Sequence, residues 1–131
     1  MNENVKNSLY FLQKLIKIKS VEGEKRDGMP FGEGPSLALN EFLAEANRIG
    51  FKTVNYDNYI GEVVFGDGDD ESGLSILAHL DVVPEGDFSA WSYPPYDLSF
   101  DGKYLYGRGV IDDKGPAVAS LYAVKALSDL G

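Results

Sequence analysis

Two short stretches of this chain hold side chains whose types and spacing can do chemistry. The first is His79-Leu80-Asp81, which contains the only histidine of the sequence. Along a strand, residues i and i+2 face the same side, so this imidazole and carboxylate can point together. An imidazole that ligates a metal commonly gives its other ring N–H to a carboxylate, and Asp81 stands where such a partner would stand. A lone His-x-Asp is also the pattern of a core histidine hydrogen-bonded to a neighbour, and taken alone that plainer reading comes first. The second stretch is Gly107-Arg108-Gly109-Val110-Ile111-Asp112-Asp113-Lys114-Gly115. Its glycines permit a sharp backbone path ahead of two adjacent carboxylates, which fall between a strand end and a helix N-terminus. A carboxylate there either caps the helix and complements its positive end, or bridges metal ions at the rim of a sheet, where ligand sites of open α/β folds gather.

The elements that must position these residues follow from the hydrophobic pattern. Val5, Leu9, Leu12 and Ile16 recur at helical spacing and predict an amphipathic helix over residues 4–18. The charged, glycine-rich stretch 20–34 reads as a loop. Pro35 at a first helical position opens a second helix that turns Leu39, Phe42, Leu43 and Ala46 inward and ends at Gly50. "FKTVNY" and "GEVVF", separated by "DNYI", predict an antiparallel pair, and "GDGDDESG" at 66–73 an acidic turn. That turn lacks the glutamate spacing of a calcium loop, so a solvated turn is expected. "LSILAHL" predicts a fully buried strand with His79 at its end, because its apolar residues are almost continuous. Residues 81–96 carry Pro84, Pro94 and Pro95 and read as loop, with Trp91, Tyr93 and Tyr96 packing on their own sheet. "DLSF" and "KYLYG" flank Asp101-Gly102, the signal of a two-residue hairpin. "GPAVASLYAVKALSDLG" predicts a last helix apolar around much of its circumference, of the kind that packs on several sides. Arg108 is expected to brace the loop beneath Asp112, and Lys14, Lys17 and Lys19 to form a solvated face. The expected fold class is α/β, a mixed β-sheet flanked by helices, with a β-hairpin.

Composition sets outer bounds. At 131 residues, 44% hydrophobic and 25% charged, the chain fits one globular domain. A net charge of −9 repels phosphate backbones and anionic headgroups, which argues against nucleic acid and membrane partners. The absence of cysteine excludes disulfides and thiolate metal sites and agrees with a reducing, cytoplasmic setting. The N-terminus lacks an unbroken apolar run and a small-residue cleavage site, and reads as mature structure.

Taken together, His79-Leu80-Asp81-Val82-Val83-Pro84, Asp101-Gly102 with Tyr106-Gly107-Arg108-Gly109, and Asp112-Asp113-Lys114-Gly115 resemble the metal-dependent exopeptidase and deacylase family. That family includes carboxypeptidase G, acetylornithine deacetylase and the PepV-like bacterial dipeptidases. "MPFGEGP" at 29–35 and the "DDKGP" form are similar to the dipeptidase branch in particular. The resemblance implies a zinc-exopeptidase-type catalytic domain holding two divalent metal ions, zinc with manganese or cobalt as alternatives. It implies His79 and Asp112 as metal ligands, Asp112 bridging the two ions, and Asp81 as the catalytic-site carboxylate that fixes the His79 ring. The Asp112–Asp113 peptide bond is implied to be cis and Asp113 structural. The implied substrate is a small peptide, mainly a dipeptide with a free amino terminus.

The family also needs a Glu-Glu pair, a further acidic ligand, a second histidine and a lid domain, none of which occurs in this sequence. Residues 1–131 are therefore expected to be the N-terminal portion of the catalytic domain, inactive alone and prone to self-associate through faces that the remainder would cover. Two other functions remain open at this stage: an N-acyl amino acid deacylase of the acetylornithine or succinyl-diaminopimelate type, and a stand-alone, non-catalytic binding module.

Overall fold

Residues 2–66 and 73–130 are described in a computed structural model of the chain. The acidic turn expected at 66–73 falls mostly on residues 67–72, outside the described residues.

Helix α1 spans Glu3–Lys17, and the Asn2 side chain caps it by accepting the Asn4 N–H at 3.0 Å. Its buried face is Phe11, Leu12, Leu15 and Ile16, while Val5 at the N-terminal end is exposed. Helix α2 spans Glu33–Arg48, beginning slightly before Pro35. Gly50, at φ 105°, ends it in the left-handed conformation that glycine adopts without a steric cost. Strands β1 (Lys52–Tyr56) and β2 (Ile60–Val64) form the expected antiparallel pair, with Tyr56 opposite Ile60. Asp57 and Asn58 turn the chain between them at positive φ, and the Asn58 N–H donates to the Asn55 side chain at 2.8 Å.

A 3₁₀ turn over Phe88–Ala90 interrupts the loop that follows. Strands β3 (Ser99–Phe100) and β4 (Leu105–Tyr106) make a second antiparallel pair, giving the expected hairpin a longer loop than two residues. Asp101 sets that length. Its carboxylate accepts the N–H groups of Lys103 (2.8 Å) and Tyr104 (2.7 Å) and the Tyr106 hydroxyl (2.6 Å), so residues 101–104 all belong to the turn. Helix α3 spans Lys114–Leu130.

The core lies where α1, α2 and α3 meet: Phe11, Leu12, Leu15 and Ile16 from α1, Ala46 from α2, Phe51 after it, and Val118, Leu121 and Tyr122 from α3. A polar tie crosses the same region. The Tyr122 hydroxyl donates to Glu45, which also accepts two hydrogen bonds from Arg48 at 2.7 Å each. Those Arg48 bonds, foremost, hold the buried Glu45 carboxyl below its usual range. Among the described residues α3 is covered along one side only, and Leu127 and Leu130 stay exposed, in line with the expectation of apolar faces left uncovered in residues 1–131.

The α/β class stands as expected, but "LSILAHL" is not a buried strand here. Residues 74–80 carry no strand assignment, the two sheets are β1–β2 and β3–β4, and Leu77 is 98% exposed. A strand exists by its ladder. No described strand runs beside this segment, so it has no pairing partner; Leu74, Ile76 and Leu77 lie exposed, while Leu80 packs against the core.

Candidate functional site

His79 and Asp112 meet although 33 residues separate them: His79 Nε2 lies 2.9 Å from Asp112 Oδ1. The other ring nitrogen, Nδ1, is held within the same tripeptide, 3.2 Å from Asp81 Oδ1 and 3.1 Å from the Asp81 carbonyl oxygen. The i, i+2 relation thus brings imidazole and carboxylate together even without a ladder. Asp113 completes the link from the other side, its Oδ2 accepting the His79 backbone N–H at 3.1 Å. The Asp112–Asp113 peptide bond is cis, as expected. Consecutive carboxylates therefore do different things, with Asp112 facing the ring and Asp113 the backbone.

The cluster is open to solvent; the Asp112 side chain is largely exposed and that of His79 half-exposed. Partial burial opposes the charged imidazole, but hydrogen bonds to Asp112 and Asp81 and the charges of both carboxylates outweigh it, so the His79 pKa is raised. The ring is pinned through Nδ1 while Nε2 and a largely free carboxylate converge at one point. That donor set suits a divalent cation of the zinc type, which takes imidazole nitrogen and carboxylate oxygen. The described residues contain no group of three or more such side chains, so these two make one side of a site rather than a complete one.

Two residues to which the sequence reading gave no site role hold the halves of the cluster in place. Ser20 is fully buried; its hydroxyl donates to the Leu80 carbonyl at 2.6 Å, and its own carbonyl accepts the Val82 N–H at 3.0 Å. Lys114 is also fully buried, and its ammonium donates to the carbonyls of Leu15 and Ile18, each at 2.7 Å. Burial without a carboxylate partner pushes the Lys114 pKa down to about 8. Ser20 carried no pattern signal, and Lys114 entered only as part of the Asp112-Asp113-Lys114-Gly115 motif, which did not tell that it is buried.

The flanking loop is braced by a separate cluster. Glu85 accepts Lys19 Nζ at 2.6 Å and the Tyr96 hydroxyl at 2.7 Å, and its backbone carbonyl accepts Trp91 Nε1 at 2.9 Å. Lys19 is therefore an anchor rather than part of a solvated face. Arg108 braces this loop rather than the one beneath Asp112: its guanidinium lies 5.0 Å from the Trp91 ring and donates to the Pro84 carbonyl at 3.2 Å.

Comparison with known proteins bears on the same residues. The sequence profile of Peptidase family M20/M25/M40 matches residues 76–131, a segment that contains His79, Asp81 and Asp112. The Beta-Ala-Xaa dipeptidase of Lactobacillus delbrueckii subsp. lactis is 41% identical over 123 residues, which cover 92% of this chain. Over residues 76–131 the chain is similar to this peptidase family. In three dimensions, human carnosine dipeptidase 1 superimposes on 95% of the chain with a TM-score of 0.67 at 21% identity, so the two share a fold. The chain spans about a quarter of the length of the curated relatives it matches, 25% of the Lactobacillus protein and 29% of the human structure. Peptidases of the M20 family are metal-dependent. Among the described residues, no helix is long and apolar enough to cross a membrane.

Proposed function

We propose that the chain is the N-terminal portion of the catalytic domain of a metal-dependent dipeptidase. The observation that carries this reading is the convergence of His79 Nε2 and Asp112 Oδ1 while Asp81 occupies Nδ1. His79 and Asp112 would ligate two divalent metal ions, zinc with manganese or cobalt as alternatives, and Asp112 would bridge them. Bound there, such ions activate water and polarise a peptide carbonyl. The work of this chain is positional. Asp81 fixes the imidazole's rotation and directs Nε2 toward Asp112, and Asp113 fixes the backbone that carries the ring. The open face at Asp112 leaves room for a small substrate and for further ligands.

Similarity to the Beta-Ala-Xaa dipeptidase of Lactobacillus favours dipeptide substrates. A catalytic zinc normally has three protein ligands, and one histidine with one aspartate falls short of that. The remaining ligands and the base would come from elsewhere in the whole protein, and residues 1–131 alone would be inactive.

The test is hydrolysis of dipeptides by the full-length polypeptide, stripped of metal with a chelator and then given zinc or manganese, beside His79→Ala and Asp112→Ala. Metal-restored cleavage that falls at least a hundredfold in both variants is the expected result. Cleavage of N-acyl amino acids alone would move the protein to the deacylase branch. Inactivity with every metal would leave a binding module.

A further inference from the structure

Both halves of the His79–Asp112 cluster are attached to one short piece of chain, the exit of α1 over residues 15–20. At the C-terminal end of α1 the Leu15 and Ile18 carbonyls, which accept the Ile18 and Ser20 N–H groups, also accept the buried Lys114 ammonium. Lys114 lies two residues after Asp112, so this grip fixes the turn that carries Asp112 and Asp113. Two residues beyond Ile18, Ser20 grips the other half through the Leu80 carbonyl and the Val82 N–H, immediately around Asp81. The attachments are close-fitting. A Cβ on Gly109, which sits at φ 92°, would come within 3.0 Å of Val82 Cγ1 and 3.1 Å of Lys114 Cδ, so the two halves meet across that glycine. On the far side, a Cβ on Gly34 would come 2.3 Å from the Lys19 carbonyl oxygen, so the start of α2 presses on the same exit.

We propose that Ser20 and Lys114 are positioning residues of the metal site, setting the separation of His79 and Asp112 by tying both to the exit of α1. This rests on the metal-ligand reading of His79 and Asp112. Neither residue touches the cluster's donor atoms; each acts through backbone held two residues or fewer from a ligand or its orienting carboxylate. Partners at that remove from a metal typically matter ten- to a hundredfold in affinity.

The experiment measures zinc affinity of the full-length polypeptide by competition with a chromophoric chelator at 25 °C. Its variants are Ser20→Ala, Lys114→Met, the double variant and His79→Ala, each with the melting temperature of the metal-free form. Ser20→Ala is expected to weaken zinc binding roughly tenfold with the metal-free form still folded at 25 °C, Lys114→Met to weaken it more, and the double variant less than the product of the two. Zinc affinity within twofold of wild type in a folded Ser20→Ala protein would overturn the proposal, as would losses that only track the unfolded fraction. If Lys114→Met does not fold, Ser20→Ala decides alone. Wild-type affinity no better than that of His79→Ala would instead refute the metal-ligand reading, and the positioning role with it.

Discussion

The α1–α3 interface and the segment 74–83 are both strongly apolar, yet most of the second is uncovered, with Val82 buried and Leu80 packed on the core. Leu15 and Ile16 are fully buried against Val118, Leu121 and Tyr122. Leu74, Ile76, Leu77 and Val83 are exposed, and Ile111 beside the aspartate pair is exposed as well. Hydrophobic burial is proportional to area removed from water, so the first region stabilises the fold and the second contributes little. The candidate site lies on the seam. His79 and Asp81 belong to the uncovered segment, whereas Asp112 is attached through Lys114 to the buried one. An apolar run tells where burial is intended; whether it is achieved depends on what lies next to it.

The sharpest way to break this comparison is paired truncation within residues 1–131. Leu15→Ala should cost about 2–5 kcal/mol in urea unfolding, while Leu77→Ala should stay within about 0.5 kcal/mol. Comparable losses at the two positions would mean that Leu77 is covered after all. In the full-length polypeptide the contrast should narrow, with Leu77→Ala becoming costly, if the remainder covers this segment.

Next in size is the seam itself. A Cβ on Gly115 would come 1.9 Å from the Val110 carbonyl oxygen, so the turn carrying the aspartates must shift to admit it. Gly115→Ala should cost about 1–3 kcal/mol by the same unfolding measurement. An unchanged midpoint would show the turn to be slack.

A smaller effect is expected on the loop after Asp81. Hydrogen bonds from Lys19 and Tyr96 are the main reason the Glu85 carboxyl is lowered from its ordinary 4.5 to about 2. A depressed pKa means that the folded form gives up the proton more readily than the unfolded one. The contribution of Glu85 is therefore complete above about pH 4.5 and is lost as pH falls towards 2. Trp91 is the only tryptophan and donates to the Glu85 carbonyl, so its fluorescence reports on this loop. Emission should hold steady from pH 7 to about pH 4 and change below that, and Glu85→Gln should remove the acid transition. A transition centred near pH 4.5 would mean that Lys19 and Tyr96 do not hold the carboxylate.

The least change in stability is expected from Leu77→Lys, which should leave unfolding of residues 1–131 within about 0.5 kcal/mol. It should reduce self-association in light scattering, because an exposed apolar stretch is where such chains adhere. Equal association in the two proteins would place the sticky surface elsewhere, on Leu127 and Leu130 of α3 for example.

Much of this was legible in the sequence, for local reasons. The stripe of α1, the Gly50 stop, the β1–β2 turn at Asp57-Asn58 and the onset of α3 depend on neighbours a few residues away, and pattern alone located them. The pairing of His79 with Asp81 was legible too, since the two are set side by side within three residues. The hairpin loop came out longer because Asp101 caps two N–H groups, a competition that a two-residue turn signal does not contain. "LSILAHL" failed as a strand because a ladder needs a partner that composition cannot supply. The burial of Ser20 and Lys114 was invisible for the opposite reason, although Lys114 stands in the Asp112-Asp113-Lys114-Gly115 motif. Their hydrogen bonds join residues 60 to 99 positions apart, and polar side chains carry no periodic mark when they are buried.

The central claim is that His79 and Asp112 share a metal. A crystal of the full-length polypeptide grown with zinc, with anomalous data collected on both sides of the zinc edge, addresses it directly. The expected result is an anomalous peak about 2.0–2.2 Å from both His79 Nε2 and an Asp112 carboxylate oxygen, with Asp81 still on Nδ1. A fully occupied zinc site elsewhere, with the 2.9 Å contact between His79 and Asp112 intact, would contradict it.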